Sequence, residues 1–113
     1  MMSKTDKELK YYLDCGFSGK QLEEIKKGIE SGIDIGIYTK KGFGAKAMYY
    51  IRKSLEKELD IKPYVSTSYS WKQIQQIVFG LEKNLDVTFY ASHKISWEKM
   101  REIRLQLEKE CNV

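Results

Sequence analysis

Residues 70–90 read SWKQIQQIVFGLEKNLDVTFY, and sliding that segment along the chain in steps of 26 finds it again. Residues 18–38 read SGKQLEEIKKGIESGIDIGIY, residues 44–64 GAKAMYYIRKSLEKELDIKPY, and residues 96–113 SWEKMREIRLQLEKECNV. Leu22, Met48, Ile74 and Met100 share one column, Ile25, Ile51, Ile77 and Ile103 a second, and Ile29, Leu55, Leu81 and Leu107 a third. Phe17, Phe43, Tyr69 and Ile95 open the four copies, and Tyr38, Tyr64 and Tyr90 close the first three. A fixed period of this size denotes one supersecondary unit stacked on copies of itself, because a single unit cannot bury its apolar face alone. The expected organisation is a single domain over residues 1–113, with repeats at about 17–42, 43–68, 69–94 and 95–113 and a capping helix at 5–15.

Within each copy the longer segment carries a helical signature. Leu22, Ile25, Ile29 and Ile33 recur at helical spacing, and Met48, Ile51, Leu55 and Leu59 repeat the pattern, so each helix has one apolar stripe. Ser18, Ser70 and Ser96 stand where N-caps belong, and Gly32 where a helix stops. Lys26 with Glu30, Arg52 with Glu56 and Arg104 with Glu108 are i, i+4 pairs, each expected to add only about 0.2–0.5 kcal/mol. Thr5-Asp6-Lys7-Glu8 reads as a capping box for the N-terminal helix. Gly28, Ser54 and Gly80 share a column inside the helices, where glycine costs about 1 kcal/mol relative to alanine. Something must approach that face closely, and the neighbouring repeat is the expected occupant. Gln106 in the last copy suits a repeat with no follower. Cys111 shares a column with Ile33, Leu59 and Leu85 and reads as a small core residue.

The shorter segment is ambiguous in isolation. Ile33-Asp34-Ile35-Gly36-Ile37-Tyr38 alternates like a strand, and Leu85-Asp86-Val87-Thr88-Phe89-Tyr90 is rich in strand-favouring residues. Pro63 argues against a strand, and the column Asp34, Asp60 and Asp86 reads as N-caps of short helical turns. The expected fold is therefore all-α: a short α-solenoid of four helix-turn-helix-like repeats of 26 residues with an N-terminal capping helix.

Tyr69-Ser70-Trp71-Lys72-Gln73-Ile74-Gln75-Gln76-Ile77, with Gly80-Leu81-Glu82 and Leu85-Asp86-Val87, resembles a short repeat found in proteins of gut Firmicutes and their mobile elements. Ile95-Ser96-Trp97-Glu98-Lys99-Met100-Arg101-Glu102-Ile103-Arg104-Leu105 is similar to it almost throughout, and the likeness runs from about Phe17 to Val113. The second copy departs most, with Ala47 where the pattern has glutamine and Tyr49-Tyr50 where it has charged residues. The resemblance implies repeat architecture and a mobile-element setting. In that setting small proteins often inhibit a host defence nuclease or another nucleic-acid enzyme by binding it.

Composition and motifs narrow the chemistry. An apolar fraction of 42% with 32% charged residues suits a folded domain, and the N-terminus lacks the apolar run of a secretory signal, so a cytoplasmic setting is expected. His93 is the only histidine and has no companions at metal-ligand spacing, while Gly42-Phe43-Gly44 lacks the lysine of a phosphate loop. No cofactor, metal or enzymatic activity is expected. Function should lie where residues break the columns. Val78 and Phe79 stand where other copies have Lys26-Lys27, Arg52-Lys53 and Arg104-Leu105; Tyr49 and Tyr50 replace charged or polar residues; Trp71 and Trp97 replace Gly19 and Ala45. These residues, foremost Val78, Phe79, Tyr49, Tyr50 and Trp71, are the expected contacts for a protein partner. The two tryptophans could equally fill grooves between repeats. The alternative partner is nucleic acid, held by a basic stripe of Lys40, Lys41, Arg52 and Lys53 in a chain of net charge +4. Self-association through an exposed repeat end is a further expectation.

Overall fold

A computed structural model describes residues 2–111. Its α-helices are α1 (Lys4–Asp14), α2 (Gly19–Ser31), α3 (Ala45–Glu56), α4 (Trp71–Glu82) and α5 (Trp97–Cys111). Three 3₁₀ turns, Ile35–Ile37, Lys62–Tyr64 and Val87–Phe89, follow α2, α3 and α4, and no strand occurs among the described residues. Each α-helix packs on the next in chain order, which makes an elongated body of 58 × 24 × 19 Å.

Neighbouring helices from α2 onward run parallel, and side chains tie them at matching heights. At the start of α2, the Gln21 amide donates to the Phe43 carbonyl just before α3, at 2.7 Å. At the start of α4, the Gln73 amide donates to the Ile95 carbonyl just before α5, at 2.8 Å. At the far end of α3 and α4, Lys57 Nζ lies 3.5 Å from Glu82. The same two glutamines complete capping boxes with Ser18 and Ser70, so one residue type closes its own helix and clasps the next. Ala47 and Lys99 fill that column in the other copies. Gly44 accordingly caps α3 without a side-chain bond, whereas Ser96 still accepts from the Lys99 N–H at 3.2 Å.

The apolar columns form the core. Ile25, Met48, Ile51, Ile74, Ile77 and Met100 are almost wholly buried, together with Phe43, Tyr38 and Tyr90. The ambiguous segments are helical turns rather than strands. Asp34 and Asp86 cap the first and third through bonds to Gly36 N and Thr88 N, both 3.1 Å. Asp60 makes no such cap: with Pro63 in the turn, the 3₁₀ segment moves on by one residue and Ile61 precedes it instead. The helices end on a shared conformation, since Gly32, Glu58 and Asn84, 26 residues apart, have φ of 76°, 58° and 61°. Glycine adopts this left-handed geometry freely, and Glu58 bears its steric cost.

Three further expectations are corrected. The α1 capping box joins Ser3 and Asp6, not Thr5 and Glu8, because Ser3 holds the extended backbone a cap requires. The close approach to Gly28 and Gly80 comes from the same repeat, not its neighbour. Tyr38 folds back over α2 and donates to the Glu24 carbonyl at 2.8 Å, and Tyr90 folds over α4 and donates to the Gln76 carbonyl at 2.6 Å. A Cβ on either glycine would collide with the tyrosine hydroxyl. In the second copy Ser54 fills that space, its hydroxyl bonding the Ile51 carbonyl at 2.8 Å, and Tyr64 stays half-buried. Cys111 is exposed, because no later helix covers that side of α5 among the described residues.

Candidate functional site

The arginines that looked like helix-surface pairs are joints between helices. Arg52 Nε donates to Glu24 on α2 at 2.8 Å while its Nη1 donates to Glu56 on its own helix at 2.8 Å. Arg104 repeats the arrangement, with Nε to Gln76 on α4 at 2.9 Å and Nη1 to Glu108 at 2.7 Å. Both guanidinium side chains are about nine-tenths buried, at 9% and 11% exposure. Lys26 and Glu30 make no ion pair among the described residues. For Arg52, burial works against the charged form, and the hydrogen bonds it donates to Glu24 and Glu56 outweigh it, so its pKa rises. Burial likewise opposes ionised Glu56, but the Arg52 hydrogen bond prevails and holds its carboxyl below the usual range.

The same geometry corrects the assignment of Val78, which is 1% exposed and therefore offers no partner surface. Each arginine lies 28 residues after the acceptor it grips, and the pair at that spacing across α3 and α4 is Tyr50 and Val78. A polar joint at each end of the stack is replaced by an apolar one in the middle. Val78 is buried where α4 packs on α3 rather than turned toward solvent. Phe79, its neighbour, is half-buried, with its ring edge-on to Tyr50 at 6.2 Å and under Arg104 at 5.3 Å.

Tyr49, Tyr50 and Trp71 come together on the α3–α4 face, while Trp97 opens α5. Tyr49 and Tyr50 stack with ring centroids 5.0 Å apart and planes 8° apart, and Tyr50 continues onto Trp71 at 6.3 Å and 4°. Gln75 fixes the middle ring by donating to the Tyr50 hydroxyl at 2.6 Å. Lys46 Nζ sits 4.5 Å from the Trp71 ring centre, and Lys72 Nζ lies 5.7 Å from that ring and 4.7 Å from Trp97. Beside these rings runs a groove of about 450 Å³, lined by Lys20, Glu23, Glu24, Ala45, Lys46, Tyr49, Tyr50, Trp71 and Gln75. Tyr49 is 37% exposed, while Tyr50 and Trp71 are half-buried against the core. Trp71 thus fills a space between helices and also walls the groove, so its two readings merge.

The proposed basic stripe does not assemble as drawn. Arg52 is engaged by two carboxylates and 7% exposed, Lys53 is half-buried on α3, and Lys40 and Lys41 are exposed in the loop before α3. Lys20, Lys46 and Lys72 escaped the sequence reading. Their spacing of 26, two residues after each cap position, was the available signal. Among the described residues no three His, Cys, Asp or Glu side chains gather in a metal-binding group, and no helix is long and apolar enough to cross a membrane. No protein-family model, curated protein or solved structure matches this chain.

Proposed function

We propose that this chain is a short α-solenoid of four helical repeats with an N-terminal capping helix, working as a non-catalytic protein-binding module. The groove beside Tyr49, Tyr50 and Trp71, with Phe79 at its margin, is its docking surface. One observation carries this reading: residues that break the repeat columns stack into a continuous, partly exposed aromatic wall. Clustered aromatics that already share contacts lose little rotamer entropy on binding, which is how interface hot spots are built. The likeness of the repeats to those of mobile elements supports an inhibitor or adaptor role against a host protein, such as a defence nuclease complex.

The test is affinity capture from nuclease-treated host lysate with wild-type protein and a Tyr49→Glu, Trp71→Glu double variant, the fold of each checked by circular dichroism. A protein retained by the wild type and lost by the folded variant is the expected result; identical capture by both refutes the groove assignment. The nucleic-acid reading draws on exposed Lys40 and Lys41 but not on buried Arg52. It requires capture that vanishes with nuclease and affinity that falls steeply with salt.

A further inference from the structure

The charge around the aromatic groove is uneven. Lys20 and Lys46 line it and Lys72 stands beside its tryptophan, and none of the three makes an ion pair among the described residues. Two carboxylates face them. Glu24 is bound by Arg52, which leaves Glu23 as the one uncompensated anion on the groove. Because α2, α3 and α4 run parallel, these lysines, all two residues after the cap position, line up along the edge where the helices begin. Glu98 takes the column in the fourth copy and ends the row. Adjacent helix N-termini add to the positive potential at that edge. Lysine is a flexible point charge that suits several carboxylates in succession better than one fixed bidentate partner.

Resting on the docking role proposed above, we propose that the groove takes an acidic segment of a partner protein. An apolar or aromatic anchor of that segment packs on Tyr50 and Trp71, and its Asp or Glu side chains pair with Lys20, Lys46 and Lys72. The aromatic wall supplies the desolvated centre and the lysine row sets orientation and on-rate, the division of labour expected between an interface core and its charged rim.

Selection of a random peptide library displayed on phage against the full chain tests this, with counter-selection on a Tyr49→Ala, Trp71→Ala variant. Peptides that survive counter-selection are synthesised, and their affinity is followed by Trp fluorescence and by amide shifts of the labelled protein. The expected peptides carry Asp or Glu flanking an apolar residue. Their affinity falls about tenfold or more in a Lys20→Glu, Lys46→Glu, Lys72→Glu variant and weakens as salt rises, as a charged rim dictates. Neutral or basic peptides that depend on Tyr49 and Trp71 but ignore the lysine changes overturn the acidic-partner inference and leave the docking reading standing. If no selected peptide distinguishes wild type from the Tyr49→Ala, Trp71→Ala variant, the docking reading falls and takes this inference with it.

Discussion

Replacing Gly80 by alanine should destabilise this protein, although helix propensity alone says the reverse. In an unobstructed helix interior the change gains about 1 kcal/mol. Here the new Cβ would stand on the Tyr90 hydroxyl, 2.6 Å from Val87 Cγ1 and 3.2 Å from Tyr90 Cζ. Neither neighbour yields easily, because Val87 and Tyr90 are both buried and belong to one 3₁₀ turn and its C-cap. Pushing that turn away costs about 1–3 kcal/mol for overpacking. It also pulls the buried phenol from the Gln76 carbonyl, which leaves an unsatisfied donor worth about 1–3 kcal/mol. The net loss is about 1–5 kcal/mol after the propensity gain is subtracted, and its midpoint corresponds to a fall in melting temperature of about 10 °C for a domain near this size. Thermal and urea unfolding followed at 222 nm measure it directly. A Tyr90→Phe change alone should cost about 1 kcal/mol, and the double variant should be less destabilised than the sum, since the phenylalanine no longer carries the colliding oxygen. Stabilisation by Gly80→Ala, or strict additivity with Tyr90→Phe, would refute the claim that the tyrosine is what excludes a side chain at this column.

Other consequences can be checked with the same unfolding assays. Val78→Arg should be strongly destabilising alone, by about 3 kcal/mol for an unpaired buried charge, and substantially rescued by Tyr50→Glu, which recreates the Glu24–Arg52 joint; absence of rescue would show the two positions are not partners. Glu56 is held below the usual carboxylate range, so its share of stability is complete above that range and is lost as pH falls through its lowered pKa; an Arg52→Met variant should flatten this acid limb. Burial raises Tyr38 and Tyr90 above the ordinary 10.0, so their contribution is present below that pH and lost as pH climbs past it. Absorbance at 295 nm should show both phenols ionising only as the fold opens, and free titration of all tyrosines before unfolding would contradict their burial. Glu58→Gly should stabilise by about 0.5–1 kcal/mol by relieving its left-handed backbone, with a loss of stability counting against that strain.

The period of 26 was legible because it is a property of chain order, and with it came the helices, the serine caps, the core columns and the all-helical class. Each of these depends on residues within about one turn of each other or on a face repeated without change. What a column is for depended on its neighbours in space. The glycines announced a close approach, but only the folded-back turn shows that Tyr38 and Tyr90 make it from within their own repeats. Val78 looked like an exposed anomaly because sequence compares it with Arg52 and Arg104, whereas burial is set by what faces it from α3. The same blindness hid the lysine row, since Lys20, Lys46 and Lys72 become neighbours only once parallel helices stack. Local periodicity fixes which face of each helix is apolar; pairing across a joint is a contact between residues 25 to 28 positions apart, which no single-helix pattern encodes.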